Sequence, residues 1–309
     1  MILDRLKQRR KMDEELYDET IRQAISEEER IKSLQPVWGW TEDRLIEPSE
    51  EVFSFDEDAG HVLTNVLSRA KCTKAAPALF CDQAACAIAE YCGCDIEGED
   101  PTVEDYLAAF KQLHFLEISK TYLTLFPRAF VIDLGCGLST LRQQLDNKKL
   151  KWINVDTESC LELRSALGLD RKERSKNIGA NPFGYEWIRE VQYKQDRGCI
   201  IIVEDPMVDR SAHDVKHFLA TMKAYFPKAL IMFGCQAYKT AGESDNFRLY
   251  TINAEDVFHS WFDDAAVRVY STVVPPKEEL SLCCKPKSVK RALKRAFKRG
   301  SQILVDIRF

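Results

Sequence analysis

Four polar residues between positions 133 and 204 of this 309-residue chain follow four short apolar runs, and their spacing indicates one ligand site. They are Asp133, Asp156, Asn181 and Glu204. The first run continues as VIDLGCGLST, which places Gly135 and Gly137 directly after Asp133. Glycines after an apolar strand let the backbone turn sharply and approach a ligand closely.

The glycine turn favours a cationic ligand over a dinucleotide. A dinucleotide fingerprint has a third glycine, where this chain has Thr140, and it leaves no anion beside the pyrophosphate. Asp133 would repel a diphosphate and attract a cation. S-adenosylmethionine fits better than a nicotinamide cofactor, because it carries a sulfonium and an ammonium and no phosphate.

The remaining polar residues suit other parts of that ligand. Asp156 lies 19 residues beyond Gly137, where a carboxylate can accept hydrogen bonds from both ribose hydroxyls. The amide of Asn181 could bind the adenine edge, and Glu204 would lie near the methionine half. Each residue alone is more typical of a helix cap or a solvated turn than of a ligand contact, so the joint pattern carries the prediction.

Strands and helices alternate around these residues. After Pro127, the β-rich runs FVIDL, LKWINVD, SKNIGA, CIIIVE and ALIMF are separated by helical segments such as SAHDVKHFLATMKAYF. This alternation predicts an α/β fold with a doubly wound, mostly parallel sheet. VRVYSTVV and SQILVDIRF would add an antiparallel edge pair, which makes seven strands.

The first part of the chain predicts helices and no strand. Residues 1–34 are densely charged with apolar residues at helical intervals, residues 35–60 are typical of a loop, and residues 59–126 are mostly helical in pattern. We therefore expect an N-terminal helical arm or cap over residues 1–110 and a core domain over residues 111–309.

A basic amphipathic helix is predicted at about residues 287–299. KPKSVKRALKRAFKRG places lysines and arginines on one helical face and apolar residues on the other. This pattern fits either an electrostatic patch for an anionic partner or a cover helix with solvated charges. The net charge of −5 favours the cover helix.

Composition argues against several protein classes. The chain has 45% hydrophobic and 30% charged residues, which is typical of a globular protein, and its acidic balance argues against nucleic acid or membranes as partners. The N-terminal segment has no apolar leader, and the longest apolar run, Cys199–Val203, is too short to span a bilayer. We expect a cytoplasmic protein with reduced thiols.

The irregular spacing of Cys81 to Cys94 favours packed thiols over a metal site, and we predict no metal.

These segments together resemble the leucine carboxyl methyltransferase family of class I S-adenosylmethionine-dependent methyltransferases, especially its polyketide-synthesis O-methyltransferase branch of the tetracenomycin type. VIDLGCGLSTLRQQL is similar to the family's nucleotide turn, KWINVDTESCLELR to its second strand and helix, and NIGANPFGYEWIREV to its third strand. CIIIVEDPMVDRSAHDVKHFLATMKAYFPKALIMF is similar to the segment from the fourth to the fifth strand, and ALFCDQAA to a short motif before the core. The likeness runs from about residue 66 to the end and implies a Rossmann-like fold.

The resemblance implies cofactor-binding roles for Lys111, Asp133, Gly135, Gly137, Asp156, Asn181 and Glu204. Asn181 stands where the family usually has an aspartate, and Lys111 stands near an arginine that holds the methionine carboxylate. The chain departs from the family pattern at Ser139, Leu141, Asp205 and Asp209. These departures indicate a divergent substrate side and a weakened affinity for the cofactor.

Methyl transfer from a sulfonium is an in-line displacement, which needs alignment rather than covalent catalysis. A carboxylate acceptor is already ionised at neutral pH and needs only an anchor. The candidate anchors are Arg142, Lys239 and Arg248. A phenol benefits from a base, for which the candidates are His213, His217, His114 and Asp209. A histidine on an amphipathic helix is more often structural, so the catalytic residues stay open.

The leading hypothesis is an S-adenosylmethionine-dependent O-methyltransferase that acts on a carboxyl or hydroxyl group of a small natural product or secondary metabolite. The alternatives are a protein carboxyl methyltransferase and a catalytically inactive binding protein with a methyltransferase fold. An NAD-dependent oxidoreductase is disfavoured. We expect a small-molecule acceptor, with a carrier protein or a homodimer left open as a partner.

Overall fold

The computed structural model describes residues 57–77, 80–94, 96, 99–170, 174–204, 207, 210–237, 248–249, 254–270, 291 and 302–309. The predicted charged arm lies outside these residues, as does the predicted basic helix apart from Arg291. The described α-helices are α1 (Glu57–Ala75), α2 (Gln83–Tyr91), α3 (Val103–Leu125), α4 (Leu141–Leu145), α5 (Glu158–Ala166), α6 (Ala212–Tyr225) and α7 (Ala254–Trp261). None of them combines the length and the apolar character that crossing a bilayer requires.

Eight strands of the described residues form one sheet. They are β1 (Phe130–Leu134), β2 (Lys151–Asp156), β3 (Ser175–Gly179), β4 (Cys199–Val203), β5 (Leu230–Ala237), β6 (Arg248–Leu249), β7 (Ala266–Tyr270) and β8 (Gln302–Arg308). The order is β3-β2-β1-β4-β5-β8-β7, and the short β6 pairs with the end of β5. Strands β1 to β5 are parallel to one another, whereas β8 is antiparallel to both β5 and β7.

The predicted α/β fold with a mostly parallel sheet and an antiparallel edge pair is confirmed. The strand order adds a detail that the sequence pattern did not give, because the last strand of the chain, β8, lies between β5 and β7. The two-residue strand β6 was not predicted. Among the described residues of the N-terminal region, the three elements are helices, as expected.

The central strands are apolar because both faces of the sheet are covered. Every residue of β1 and β4 is buried, as is typical of parallel strands between two helical layers. On one face Phe115 of α3 belongs to the cluster that contains Val131 and Ile200, and on the other face Phe218 of α6 packs in the cluster of Ile132. The result is a three-layer α/β/α arrangement.

Helix α3 joins the N-terminal helices to the sheet. A capping box starts it: Thr102 Oγ1 accepts a hydrogen bond from the Asp105 backbone N–H, and the Asp105 carboxylate accepts one from the Thr102 backbone N–H. Its first half packs on α1 through Tyr106 and Phe110, whereas its second half lies on the sheet. The helix runs unbroken across position 110.

The topology fixes where a ligand would bind. The winding direction reverses at β1, which has β2 on one side and β4 on the other. Open α/β sheets bind ligands beyond the carboxyl ends of the strands at such a switch point. The turn after β1 and the residues after β2 and β4 therefore belong to one edge of the sheet.

A buried polar pair joins α3 to β8, next to the edge strand β7. His114 Nε2 lies 3.2 Å from Asp306 Oδ1 of β8, and both side chains are buried. The ring of Tyr270 on β7 packs edge-on against His114, with 4.5 Å between ring centroids. His114 therefore has a structural position in the described fold.

Replacing His114 by leucine should leave the Asp306 carboxylate buried without this partner. We expect His114→Leu to lower the free energy of unfolding by about 2 kcal/mol, the usual cost of leaving a buried polar group without its hydrogen-bond partner. His114→Gln keeps a donor group and should lose less than half as much. Urea unfolding followed by circular dichroism measures both, and equal losses in the two variants would contradict the role of the pair.

Candidate functional site

The turn after β1 has a backbone conformation that favours glycine at two positions. Gly135 and Gly137 have φ angles of 64° and 45°, in the left-handed region. A Cβ atom on Gly137 would also lie 3.2 Å from Val62 Cγ1 of α1. Bare backbone therefore comes close to α1 here.

A cavity of about 370 Å³ lies over this turn. Its walls come from the turn, from two strand ends and from α1: Val62, Asn65, Arg69, Gly135, Cys136, Gly137, Leu138, Ser139, Asp156 and Glu204. The volume falls within the range of about 300–1,000 Å³ that small-molecule sites occupy. Four of the predicted cofactor-binding residues thus meet in one cavity.

Asp156 links the end of β2 to the turn. Its Oδ2 accepts a 2.8 Å hydrogen bond from the Gly137 backbone N–H, and its Oδ1 accepts one of 2.8 Å from the Thr157 backbone N–H. The carboxylate is half-buried and each oxygen has a further lone pair. Asp156 therefore fixes the turn and also offers acceptors to the cavity.

Glu204, which follows β4, forms an ion pair with Lys111 of α3. Lys111 Nζ lies 3.3 Å from Glu204 Oε1, and both side chains are largely buried. Glu204 lines the cavity, so the pair places one charge of each sign at its edge. A ligand with an amino acid group would meet both charges and would compete with this pair.

Asp133 lies at the end of β1 and is almost completely buried. Its Oδ2 has no hydrogen-bond partner among the described residues. Burial raises the pKa of the Asp133 carboxyl from 3.8 to about 7; the Arg164 guanidinium opposes this rise, and Glu204 and Asp156 add to it. A positive charge bound nearby would stabilise the ionised form of Asp133.

Two buried arginines that the sequence pattern did not identify hold the carbonyl groups of the turn. Arg164 Nη1, from α5, donates hydrogen bonds to the backbone oxygens of Gly137 and Ser139, at 2.7 and 3.1 Å. Arg69 Nη2, from α1, donates to the Leu138 oxygen at 3.0 Å. Three successive carbonyls are thus fixed from two different helices.

The sequence contained weak signals for both arginines. Arg164 lies within KWINVDTESCLELR, whose helix was predicted, but the pattern gave no direction for this side chain. Arg69 precedes Asp82 of ALFCDQAA by 13 residues, and the two side chains form a buried ion pair of 3.1 Å. The resemblance to that motif assigned no role to Asp82, and it did not point to Arg69.

Asn181 lies after β3, as predicted, but outside the cavity walls described above. Its side chain is exposed, and Oδ1 accepts a 3.0 Å hydrogen bond from the Phe183 backbone N–H. Its contact with an adenine edge stays a prediction.

The candidate anchors and bases are not in the described cavity wall. Arg142 is buried on α4, the side chain of His213 is 89% exposed on α6, and His217 Nδ1 lies 3.1 Å from Tyr185 Oη. Asp209, Lys239 and the side chain of Arg248 lie outside the described residues. The cavity therefore brings together four of the seven cofactor candidates, and the catalytic residues stay open.

No protein-family model matches the chain. Among curated proteins, it is 26% identical over 128 residues to the tetracenomycin polyketide synthesis O-methyltransferase TcmP of Streptomyces glaucescens. The match covers 41% of this chain and 46% of that protein, so it spans less than half the length of the relative. The resemblance to this branch is thereby confirmed over the aligned part.

Two of the solved structures that resemble the chain are described as methyltransferases. A proposed methyltransferase from Thermobifida fusca gives a TM-score of 0.49 at 12% identity, covering 74% of this chain and 88% of that one. A SAM-dependent methyltransferase from Archaeoglobus fulgidus gives a TM-score of 0.40 at 12% identity, covering 66% of this chain and 96% of that one. The fold assignment of this protein rests on its own strand order.

The buried carboxyl of Asp133 should make stability depend on pH. Because its pKa is near 7 when folded and near 3.8 when unfolded, the folded state retains a proton that the unfolded state loses, so stability falls as pH rises between these values. Asp133→Asn removes this titration. The difference in unfolding free energy between variant and parent should therefore shift in favour of the variant from about pH 4 to about pH 8. Urea unfolding across this range measures it, and a constant difference would contradict the assignment.

Proposed function

We propose that this protein is an S-adenosylmethionine-dependent O-methyltransferase that methylates a carboxyl or hydroxyl group of a small natural product or secondary metabolite. The observation that carries the proposal is the cavity where the glycine turn meets Asp156 and Glu204 at the switch point of the sheet. The partial likeness to a polyketide synthesis O-methyltransferase supports the acceptor class.

The charges around the turn fit a cationic cofactor better than a diphosphate. Asp156 and Glu204 line the cavity, and their charges add to the rise that burial causes in the pKa of Asp133. A diphosphate would add negative charge beside these carboxylates, whereas a sulfonium and an ammonium would offset it. S-adenosylmethionine, when bound, supplies a methyl group that its positive sulfur activates for displacement.

The residues present offer partners for each part of this cofactor. Asp156 would accept hydrogen bonds from the ribose hydroxyls. Lys111 and Glu204 would bind the carboxylate and the ammonium of the methionine half, since they offer one charge of each sign. Asn181 would contact the adenine. The two glycines keep the turn free of side chains, so the cofactor can lie against backbone.

The described cavity wall favours an acceptor that is already ionised, because such an acceptor needs no histidine as a general base. It contains no histidine among its described residues. A carboxylate acceptor arrives ionised, and the protein then has only to align it and exclude water, to which the apolar side chains of Val62 and Leu138 contribute. We therefore place carboxyl groups ahead of hydroxyl groups as the acceptor.

Calorimetry with S-adenosylhomocysteine and S-adenosylmethionine tests the cofactor site. We expect micromolar binding by the parent, and a loss of at least about ten-fold in affinity for Asp156→Ala, which removes the acceptor proposed for the ribose hydroxyls. The matched control is Asp264→Ala, because Asp264 is an exposed carboxylate paired with Lys223 away from the cavity. NADH should give no heat. Equal affinities in the two variants would contradict the proposed ribose contact.

Methyl transfer to paired acceptors tests the chemistry. Labelled S-adenosylmethionine is offered with an aromatic carboxylic acid, with the corresponding phenol, and with a peptide that has a free carboxyl terminus. We expect transfer to the small acid at a rate that is flat between about pH 6 and pH 8, because carboxyl groups titrate near pH 4. A rate that rises with pH on the phenol would assign a hydroxyl acceptor, and transfer to the peptide alone would assign a protein substrate.

A catalytically inactive binding protein is the second candidate. The observation in its favour is that Lys111 and Glu204, the groups assigned to the methionine half, already neutralise each other. Ser139 and Leu141 also replace the charged residues that the resembling family has in its turn. Binding of S-adenosylhomocysteine without transfer to any of the acceptors would support this candidate.

A further inference from the structure

We propose that Asp82 is a positioning residue for the glycine turn, so that the three helices α1, α2 and α3 form a working part of the ligand site. Asp82 acts through Thr140 and Arg69 and does not itself line the cavity. The inference rests on the proposed function for its binding measurement, and a second measurement on the ligand-free protein is independent of it.

Asp82 is the centre of a buried network that links four parts of the fold. It is completely buried at the N-cap of α2, where Oδ1 accepts a 3.0 Å hydrogen bond from the Ala85 backbone N–H. Its Oδ2 accepts hydrogen bonds from Arg69 Nε of α1 at 3.1 Å, Gln112 Nε2 of α3 at 2.9 Å and Thr140 Oγ1 at 2.5 Å. One carboxylate oxygen thus joins both neighbouring helices to the turn.

One of the three donors lines the cavity, and the other two are chain neighbours of residues at the site. Thr140 ends the glycine turn and precedes α4, yet its hydroxyl makes no capping bond to that helix and donates to Asp82 instead. Arg69 lines the cavity and holds the Leu138 carbonyl. Gln112 follows Lys111, the partner of Glu204. The orientation of the cavity wall therefore depends on one buried carboxylate.

The chemistry of the network makes Asp82→Asn a selective change. An amide keeps the volume of the carboxylate but presents only one oxygen. Its NH₂ group must face either the Ala85 N–H or the Arg69 Nε–H, neither of which can accept a hydrogen bond, so one donor is opposed to another. The side chains of Arg69 and Thr140 would lose a common acceptor, and the turn would lose its link to the helices.

Thr140 gives a second and smaller test of the same link. Thr140→Val has nearly the shape of threonine and removes the hydroxyl, whereas Thr140→Ser keeps it. We expect Asp82→Asn and Thr140→Val each to raise the Kd for S-adenosylhomocysteine by about ten-fold, the equivalent of about 1.4 kcal/mol for an unpaired buried group. Thr140→Ser should stay within about two-fold of the parent, and the double variant should bind no more weakly than the weaker single variant, since both remove one link.

Asp105 supplies the matched control. This buried carboxylate also joins two of the helices, because it accepts hydrogen bonds from Ser68 Oγ at 2.5 Å and from the Thr102 backbone N–H at 2.8 Å. Its hydrogen bonds within the described part of the chain do not reach the turn. Asp105→Asn should therefore lower the melting temperature, as Asp82→Asn does, and leave the Kd within about two-fold of the parent.

Hydrogen exchange on the ligand-free proteins separates positioning from stability. In Asp82→Asn and Thr140→Val, amides of residues 135–141 should exchange faster than in the parent while those of α6 keep their protection. In Asp105→Asn the turn should be unchanged. If Asp82→Asn lowers only the melting temperature and leaves both the Kd and the exchange of the turn as in the parent, the positioning role is wrong. If the parent binds no S-adenosylhomocysteine, the proposed function fails, and exchange still decides the role of Asp82.

Discussion

Charged side chains from α1, α5 and β2 hold the backbone of the glycine turn in place, and the rest of the site depends on these hydrogen bonds. Arg164 of α5 donates hydrogen bonds to the carbonyls of Gly137 and Ser139, and Arg69 of α1 donates one to that of Leu138. Asp156 binds the Gly137 N–H from the neighbouring strand. Because polar backbone groups in a buried turn must be paired, the turn is stable only when these side chains are in place. Held in this way, the turn presents backbone without side chains to a ligand at Gly135 and Gly137.

The electrostatic balance of the site follows from the same residues. Arg164 and Lys111 are buried cations, and they are set against the carboxylates of Asp133, Asp156 and Glu204. The balance is incomplete at Asp133, whose pKa is raised by burial and by its acidic neighbours. A cationic ligand would offset the negative charge of an ionised Asp133, which links the charge distribution of the protein to the proposed cofactor.

Much of the fold could be predicted because it depends on local patterns. The runs FVIDL and CIIIV became β1 and β4 because strands covered on both faces are predominantly apolar. Their alternation with helices predicted a doubly wound sheet, and the glycines and acidic residues after the strands predicted its ligand edge. The position of β8 between β5 and β7 could not be predicted, since pairing of distant strands leaves no local mark in the sequence.

The sequence by itself determined the elements, the edge of the sheet at which they converge, and the sign of the charge that this edge presents. Only the tertiary structure decided which side chains support that edge. Arg164 is far in sequence from Arg69 and Asp82, and all three resemble ordinary helix or cap residues. Their roles appear when α1, α2 and α5 pack against the turn, because a buried charged group is costly unless folding brings hydrogen-bond partners to it.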